Sequence, residues 1–329
     1  MNRGYARKVK RQRFLRIVVA IVMVLLLVLL LGPLLVRVPP LTDTVAAETL
    51  AAPDGHFVNI NALNVYYKAV GHGEPTFILL HGFGASLFSW REVIGPLSQY
   101  GRVIAYDRPA FGLTERPMTW SGTNPYSPEG NMDLLLGLMD QFGVQKAILV
   151  GNSAGGTLAM QFTLVHPDRV QALILVDPAV YSGGGPTWVQ LLGDSPQMQH
   201  LGPLFVRSIS TSGIQILTTA WHDPSKITPA IMDGYTQPLK VNNWDQALWD
   251  FTLASHDTGL TRHLKDFNLP ILVITGDDDR IVPTAESEKL AGELPGASLV
   301  VIPNAGHVPH EERPGDFMQA VEKFLVQLP

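Results

Sequence analysis

The sequence predicts an α/β domain whose mostly parallel central sheet has helices on both faces and an inserted helical lid. Short segments rich in Val, Ile and Leu, bounded by Gly, Pro or Asp, alternate along the chain with helical stretches. This alternation is typical of parallel strands joined by crossover helices. Residues 181–262 break the alternation and hold four of the six tryptophans. We therefore interpret this segment as a lid inserted between two strands.

A transmembrane helix is predicted ahead of this domain. Residues 1–16 contain seven Lys and Arg side chains and no acid, and residues 17–36 contain no charged side chain. A helix of that length spans about 30 Å, the thickness of a bilayer's hydrocarbon core. The run exceeds the roughly 7–15 apolar residues of a signal peptide, although small residues at 45–47 and 50–52 leave a late cleavage open. The basic head predicts a cytoplasmic N-terminus and an extracytoplasmic body on a single-pass anchor.

Charge and cysteine content argue against a nucleic-acid-binding protein and against a fold held by disulfides or thiolate-bound metals. The formal net charge is −5 despite the basic head, so the body is acidic, which argues against a nucleic-acid partner. The chain has no cysteine. Neither disulfides nor thiolate metal sites can therefore stabilise it.

The elements follow in order after a linker over residues 37–55, and the folded domain begins near His56. The predicted strands span 65–70, 76–81, 103–107, 147–150, 172–177, 271–275 and 299–302. The predicted helices lie near 88–98, 130–142, 154–165, 284–294 and 314–327. The core domain is thereby assigned to residues 56–180 and 263–329, on either side of the lid.

Residues 151–155, GNSAG, form a G-x-S-x-G pattern between a predicted strand and a predicted helix. In that context the pattern predicts a sharp turn that holds Ser153 in a strained backbone conformation above the sheet. Glycines at 151 and 155 allow the strand and the helix to approach closely. The Ala154 N–H at the helix start can stabilise a developing oxyanion. The pattern therefore predicts a serine nucleophile.

A serine nucleophile needs a histidine base, and the base needs an orienting carboxylate, in the chain order Ser, acid, His. His307 follows the last predicted strand. Three consecutive aspartates, 277–279, follow the strand before it, and Asp177 ends the strand before the lid. The identity of the acid stays open on position alone.

The second oxyanion donor is predicted in the loop after the strand at 76–81. Residues 81–84, HGFG, contain two glycines that loosen this loop, and the backbone N–H of Phe83 is the expected donor. The loop lacks the lysine and the helix placement of a phosphate-binding loop, and we found no His and carboxylate cluster with metal-ligand spacing. No cofactor and no metal are expected.

Jointly these segments resemble the α/β hydrolases, in particular the lidded group that includes meta-cleavage-product hydrolases, haloalkane dehalogenases and epoxide hydrolases. The resemblance covers roughly residues 56–328. The matching segments, in family order, are HGFG at 81–84, DRPAFG at 107–112, GNSAGG at 151–156, GDDDRIVP at 276–283 and GHVPHEERP at 306–314.

This resemblance implies a particular triad. The family's acid aligns with Asp279, with Asp177 as the alternative because some relatives carry the acid there. The family's histidine aligns with His307, and its rival His310 is expected to be a hydrogen-bonded surface residue. Serine at position 153 disfavours the dehalogenase and epoxide hydrolase chemistries, in which the nucleophile is a carboxylate.

Acyl transfer is the expected reaction: hydrolysis of a carboxylic ester, with an apolar small-molecule substrate held beneath the lid. Cleavage of a carbon–carbon bond is the alternative, although the resembling enzymes typically carry Trp after the catalytic His, where this chain has Val308. A non-catalytic, membrane-anchored binding protein is a third possibility that the intact motifs disfavour. The expected lid contacts with substrate are the tryptophans of the lid, Trp188, Trp221, Trp244 and Trp249.

Overall fold

Eight strands form a single sheet in the computed structural model, which describes residues 3–181 and 187–328. They are β1 (His56–Ile60), β2 (Leu63–Val70), β3 (Thr76–Leu80), β4 (Arg102–Tyr106), β5 (Ala147–Asn152), β6 (Val170–Val176), β7 (Ile271–Gly276) and β8 (Ser298–Ile302). Their spatial order is β1-β2-β4-β3-β5-β6-β7-β8. The pairs β1–β2 and β2–β4 are antiparallel and all others are parallel, which confirms the predicted mostly parallel sheet.

Twelve α-helices accompany the sheet in the described part of the chain. They are α1 (Arg3–Leu35), α2 (Ile94–Leu97), α3 (Pro128–Gln141), α4 (Ala154–Val165), α5 (Thr187–Leu192), α6 (Pro196–Val206), α7 (Ile209–Ala220), α8 (Pro229–Thr236), α9 (Trp244–Ala254), α10 (Thr284–Glu293), α11 (Pro309–Glu312) and α12 (Pro314–Leu325). Helices α5 to α9 lie between β6 and β7 in the chain, in the segment interpreted as the lid.

The sheet is buried on both faces. In β3, Ile78 and Leu80 pack into a core with side chains of α3, α4 and α10, whereas Phe77 and Leu79 pack into a second core with side chains of α2 and α12. Successive strand residues point to opposite faces, so a strand covered on both sides must be apolar throughout. This explains why the central strands were recognisable as continuous apolar runs.

Two elements differ from the sequence prediction. The edge strand β1 was not predicted, because most of its side chains stay partly or fully exposed and only Ile60 is buried. The helix predicted near 88–98 is instead a 3₁₀ turn, Leu87–Trp90, followed by the short helix α2. The Ser86 side chain caps the 3₁₀ turn by accepting a hydrogen bond from the Phe88 N–H.

Residues 41–45 of the predicted linker are attached to the body. Val45 donates from its N–H to the Lys240 carbonyl at 2.8 Å and accepts from the Asn242 N–H at 3.0 Å. Leu41 packs against the apolar cluster around Trp244. The chain between α1 and β1 is therefore held against lid residues rather than free.

Helix α1 is long and apolar enough to cross a membrane, by length and composition. The most apolar 18-residue window of the span Arg7–Leu35 has a mean hydropathy of 3.3, and none of its residues is buried. A membrane anchor and a signal sequence both have these properties.

Candidate active site

Ser153 lies in the turn between β5 and α4, with φ of 53° and ψ of −120°. Such a positive φ strains a residue that has a Cβ. Neighbouring glycines make this turn possible: a Cβ at Gly155 would lie 2.0 Å from the Leu80 carbonyl oxygen, and one at Gly151 would lie 2.5 Å from the Gly155 oxygen. The sequence therefore forces the serine hydroxyl to the carboxyl edge of the sheet, the edge where ligands bind in such folds.

Asp279 and His307 meet at the same edge, after β7 and β8. Asp279 Oδ2 lies 2.7 Å from His307 Nδ1, and both residues are buried. Asp279 Oδ1 accepts from the backbone N–H groups of Ile281 at 2.8 Å and Val282 at 2.9 Å. Because the carboxylate only accepts hydrogen bonds, His307 carries its proton on Nδ1. Its Nε2 is left as the basic nitrogen.

Asp177 lies beside this pair. One ligand atom each of Asp177, Asp279 and His307 lie within 4.8 Å of one another. Asp177 Oδ1 accepts from Thr275 Oγ1 at 2.7 Å and from the Gly276 N–H at 3.1 Å. Burial, and after it the charge of Asp279, raises the pKa of Asp177 well above its ordinary value. Burial of Asp177 beside Asp279 thus favours its protonated form.

This grouping was not visible in the sequence, where 102 positions separate the two aspartates. Aspartate and histidine are also common metal ligands. Here the hydrogen bond between Asp279 Oδ2 and His307 Nδ1 engages one potential ligand atom of each residue. The grouping is consistent with a triad that has a further buried carboxyl beside it.

The loop after β3 lies against the nucleophile. A Cβ at Gly82 would lie 3.2 Å from Ser153 Cβ, and Phe83 follows directly. Within the described residues, the N–H groups of Phe83 and Ala154 have no backbone or side-chain acceptor. Two unpaired N–H groups on either side of a serine are what an oxyanion hole needs.

His81 fixes the start of this loop. Its Nε2 accepts from the Arg108 N–H at 3.0 Å, so its Nδ1 carries the proton and donates to the Gly82 carbonyl at 2.8 Å. Burial lowers the pKa of His81 well below its ordinary value, which keeps the ring neutral. Arg108 Nη2 also donates to the His81 carbonyl at 2.8 Å. This histidine braces the loop and is not a base.

Ser153 and His307 open into a shared cavity of about 190 Å³. Arg116 is the one Lys or Arg among the described residues of its wall, and its Nη2 donates to the Gly112 and Pro238 carbonyls at 2.8 and 3.1 Å. Apolar side chains from the core and the lid form most of the remaining wall: Phe83, Phe111, Ile209, Ile214, Leu217, Met232, Leu239, Trp244, Leu248, Ile281 and Val308.

The lid tryptophans are placed differently from one another. Trp244 lines the cavity. Trp221 is buried at the end of α7 in a cluster with Val308, and Trp249 packs against Gly202, where a Cβ would lie 2.1 Å from its ring. Neither of these two is part of the cavity wall. The Trp188 side chain lies outside the described residues.

Comparison with known proteins shows the family. The profile of the alpha/beta hydrolase fold family matches residues 75–314, a segment that contains Ser153, Asp279 and His307. The chain belongs to the α/β-hydrolase family. The resemblance predicted from the five segments is thereby confirmed.

Three similar proteins show the range of this hydrolase's relatives. It is 30% identical over 269 residues to the uncharacterized hydrolase YugF of Bacillus subtilis, covering 81% of this chain and 96% of that one. It is also 30% identical to a 2-hydroxy-6-oxononadienedioate/2-hydroxy-6-oxononatrienedioate hydrolase of Comamonas testosteroni, covering 82% and 95%. A solved bacterial membrane phospholipase A has the same fold at 24% identity, with a TM-score of 0.64 and coverage of 96% and 99%.

Glu312, which the sequence analysis overlooked, joins the lid of the hydrolase to the loop of His307. Its Oε2 accepts from the N–H groups of Gly306 at 2.6 Å and His222 at 3.0 Å, and its Oε1 accepts from Asp223 at 3.1 Å. The His307 N–H itself donates to the Ala220 carbonyl at 2.7 Å. A signal was present, since the glutamate follows His307 by five positions, but its lid partners lie some 90 residues earlier.

Replacing Glu312 with alanine is expected to lower both stability and kcat. Three backbone donors lose their acceptor, at roughly 1–3 kcal/mol for each one left buried and unpaired, and the His307 loop loses its attachment to the lid. The exposed Glu322, replaced by glutamine, is the matched control. Chemical unfolding and ester kinetics measure both effects; equal behaviour of the two variants would contradict the role of Glu312.

A second buried network lies beside the cavity. Glu311 accepts from Arg91 Nη1 at 2.5 Å and from the Tyr235 hydroxyl, and Tyr235 lines the cavity. His310 was expected at the surface with hydrogen bonds, and this was wrong. It is fully buried, its ring stacks on Trp90 with centroids 4.4 Å apart, and neither ring nitrogen has a partner among the described residues. Burial lowers its pKa to about 3.

Glu311 predicts a pH dependence of stability. Burial raises its pKa from 4.5 to about 7, against the opposing effect of Arg91. Between these values the folded state binds more protons than the unfolded state, so stability falls as pH rises, by up to about 3 kcal/mol from this group. We expect the stability advantage of the native protein over a Glu311→Gln variant to shrink from pH 4.5 to pH 7. Unfolding midpoints of the two proteins at pH 4.5 and pH 7 measure this change. A stability difference that does not depend on pH would contradict a raised pKa for Glu311.

Proposed function

We propose that this hydrolase cleaves carboxylic esters with an apolar acyl or alcohol part, through an acyl-enzyme on Ser153. The observation that carries the proposal is the cavity next to Ser153 and His307, whose wall is mostly apolar. Such a wall suits uncharged, lipophilic substrates. The whole-length likeness to a membrane phospholipase A agrees with a lipophilic ester.

The residues take the following roles in this proposal. The Ser153 oxygen bonds to the carbonyl carbon while its proton passes to His307 Nε2, and Asp279 stabilises the resulting imidazolium. The N–H groups of Phe83 and Ala154 bind the oxyanion. The carbon–oxygen bond then breaks, the alcohol leaves with the proton from His307, and water hydrolyses the acyl-enzyme with His307 again as base.

Cleavage of a carbon–carbon bond is the second candidate, and the curated relatives favour it over the first. Several of them are named hydrolases of 2-hydroxy-6-oxo dienoates or dienedioates, at 28–30% identity. Those substrates carry one or two carboxylates. The cavity wall offers one arginine, Arg116, whose Nη2 donates to two carbonyl groups and whose Nε and Nη1 have no partner among the described residues. The rest of the wall is mostly apolar, and this is why we place ester hydrolysis first.

Kinetics with both substrate classes tests whether ester hydrolysis or carbon–carbon bond cleavage is the main activity. The full-length enzyme in detergent is assayed with p-nitrophenyl esters of increasing acyl length and with a 2-hydroxy-6-oxo dienoate ring-fission product. Ester turnover with a higher kcat/KM than dienoate cleavage is expected. Efficient dienoate cleavage with negligible ester turnover would establish the second candidate instead. Absence of both would favour a non-catalytic binding protein.

We further propose that α1 anchors the hydrolase as a single pass, with residues 1–16 in the cytoplasm and the catalytic domain outside. The composition of α1 supports the anchor, and the phospholipase likeness extends into α1, because the uncovered 4% of the chain is shorter than this 33-residue helix. Protease added to intact cells should digest the catalytic domain. Protection of that domain until the cells are lysed would contradict the orientation.

A further inference from the structure

Helix α1 is seated on the lid. It packs along α6, and two side chains of α6 hydrogen-bond to its C-terminal part. Gln197 Nε2 donates to the Leu30 carbonyl at 2.9 Å, and His200 Nε2 lies 2.7 Å from the Val36 oxygen. The apolar helix and the lid therefore contact each other directly.

These two hydrogen bonds show which part of α1 lies beside the start of α6. Gln197, near the start of α6, contacts Leu30, whereas His200, one turn later, contacts Val36 just after the end of α1. The N-terminal end of α6 therefore points toward the middle of α1. Six helical residues correspond to about 9 Å along the helix axis. If the apolar run at 17–36 spans the hydrocarbon core, the start of α6 lies about 9 Å inside the edge of that run. Amphipathic helices that lie in a membrane interface are buried by roughly 5–10 Å.

The chain that leads into α6 has the chemistry for this position. Leu191 and Leu192, at the end of α5, are 79% and 55% exposed, and Ser195 caps the start of α6. Residues 191–200, here called the lid edge, carry one formally charged side chain, Asp194, and no Lys or Arg. Two adjacent exposed leucines are costly in water and favourable in lipid.

We propose that the lid edge is a membrane-docking surface, inserted in the lipid interface beside α1. This surface rests on α1 crossing the bilayer. It is a property of the lid and is independent of which bond the enzyme cleaves. Helix α7, whose Gly213 and Leu217 line the cavity, follows the opposite, C-terminal end of α6, so α6 links the lid edge to the cavity wall along the chain.

Spin labelling tests the docking, since the chain has no native cysteine. Single variants Leu192→Cys, Val22→Cys and Val326→Cys of the full-length protein carry a nitroxide and are reconstituted in phosphatidylcholine–phosphatidylglycerol vesicles. Val22 lies within α1, and Val326 is 87% exposed after α12. Relative accessibility to oxygen and to a polar nickel complex gives the depth of each label.

The Val22 label is expected in the hydrocarbon, the Val326 label in water, and the Leu192 label at the lipid interface. A Leu192 label as accessible to the nickel complex as the Val326 label would overturn the proposal. An aqueous Val22 label would overturn it too, because α1 would then not place the lid at a membrane. Leu191→Cys is the second site if Leu192→Cys does not fold, with circular dichroism as the criterion for folding.

Discussion

Replacing Ser153 with alanine is expected to lower kcat for ester hydrolysis by about 10⁴-fold or more, with little change in stability. Loss of the nucleophile in a serine triad leaves only the contribution of the oxyanion hole and of binding. The alanine has the same Cβ as serine, so the strained turn with φ of 53° is retained. Steady-state kinetics with p-nitrophenyl esters and thermal unfolding measure the two effects.

Ser210 provides the control for this substitution. It also lines the cavity, but its hydroxyl donates to the Arg207 carbonyl at 2.8 Å and contacts neither His307 nor Asp279 in the described structure. Ser210→Ala should keep kcat within a few-fold of the native value. A Ser153→Ala enzyme that stays as active as Ser210→Ala would remove Ser153 from the mechanism.

Replacing Asp279 with asparagine is expected to lower kcat by about 10⁴-fold, as the wrong histidine tautomer does in serine triads. An amide nitrogen in place of Asp279 Oδ2 would donate to His307 Nδ1, so the proton would move to Nε2 and the base would be lost. KM should change little, because neither group binds the ester directly. Ester kinetics across pH measures both parameters.

Asp177→Asn is the matched substitution at the neighbouring carboxyl. An amide at position 177 keeps the Oδ1 acceptor for Thr275 and Gly276, and the hydrogen bond between Asp279 Oδ2 and His307 Nδ1 is untouched. We therefore expect a much smaller loss of kcat than for Asp279→Asn. The reverse order would assign the triad acid to Asp177.

The parts of the site that sequence predicted are those whose signal is local. The turn at Ser153 is encoded by glycines within two or three positions, and each loop that carries Asp279 or His307 directly follows a recognisable strand. Parallel strands bring their carboxyl ends to one edge, so the strand assignments alone indicated that these three side chains converge. The hydrogen bond between Asp279 and His307 supports Asp279 over Asp177 as the proposed acid.

The features that sequence did not predict depend on contacts between distant segments. In the sequence, Glu312 is only the second of two consecutive acids. Its role becomes visible in the structure, where it accepts hydrogen bonds from the backbone N–H groups of residues 222 and 223 in the lid. His310 is polar in type, and only the packing of Trp90 onto its ring makes it a buried neutral residue. The attachment of Val45 to lid residues likewise has no local pattern. Side-chain burial follows from the tertiary fold in each case, and not from residue type.

Covalent labelling with a fluorophosphonate, followed by mass spectrometry of the digested protein, tests the central claim most directly. The probe reacts with a serine only when a base and an oxyanion hole activate it. The account predicts one adduct, on Ser153, which is absent after Ser153→Ala and strongly slowed after Asp279→Asn. A folded native protein that forms no adduct, or forms it on another residue, would contradict the assignment of Ser153, His307 and Asp279 as a working triad.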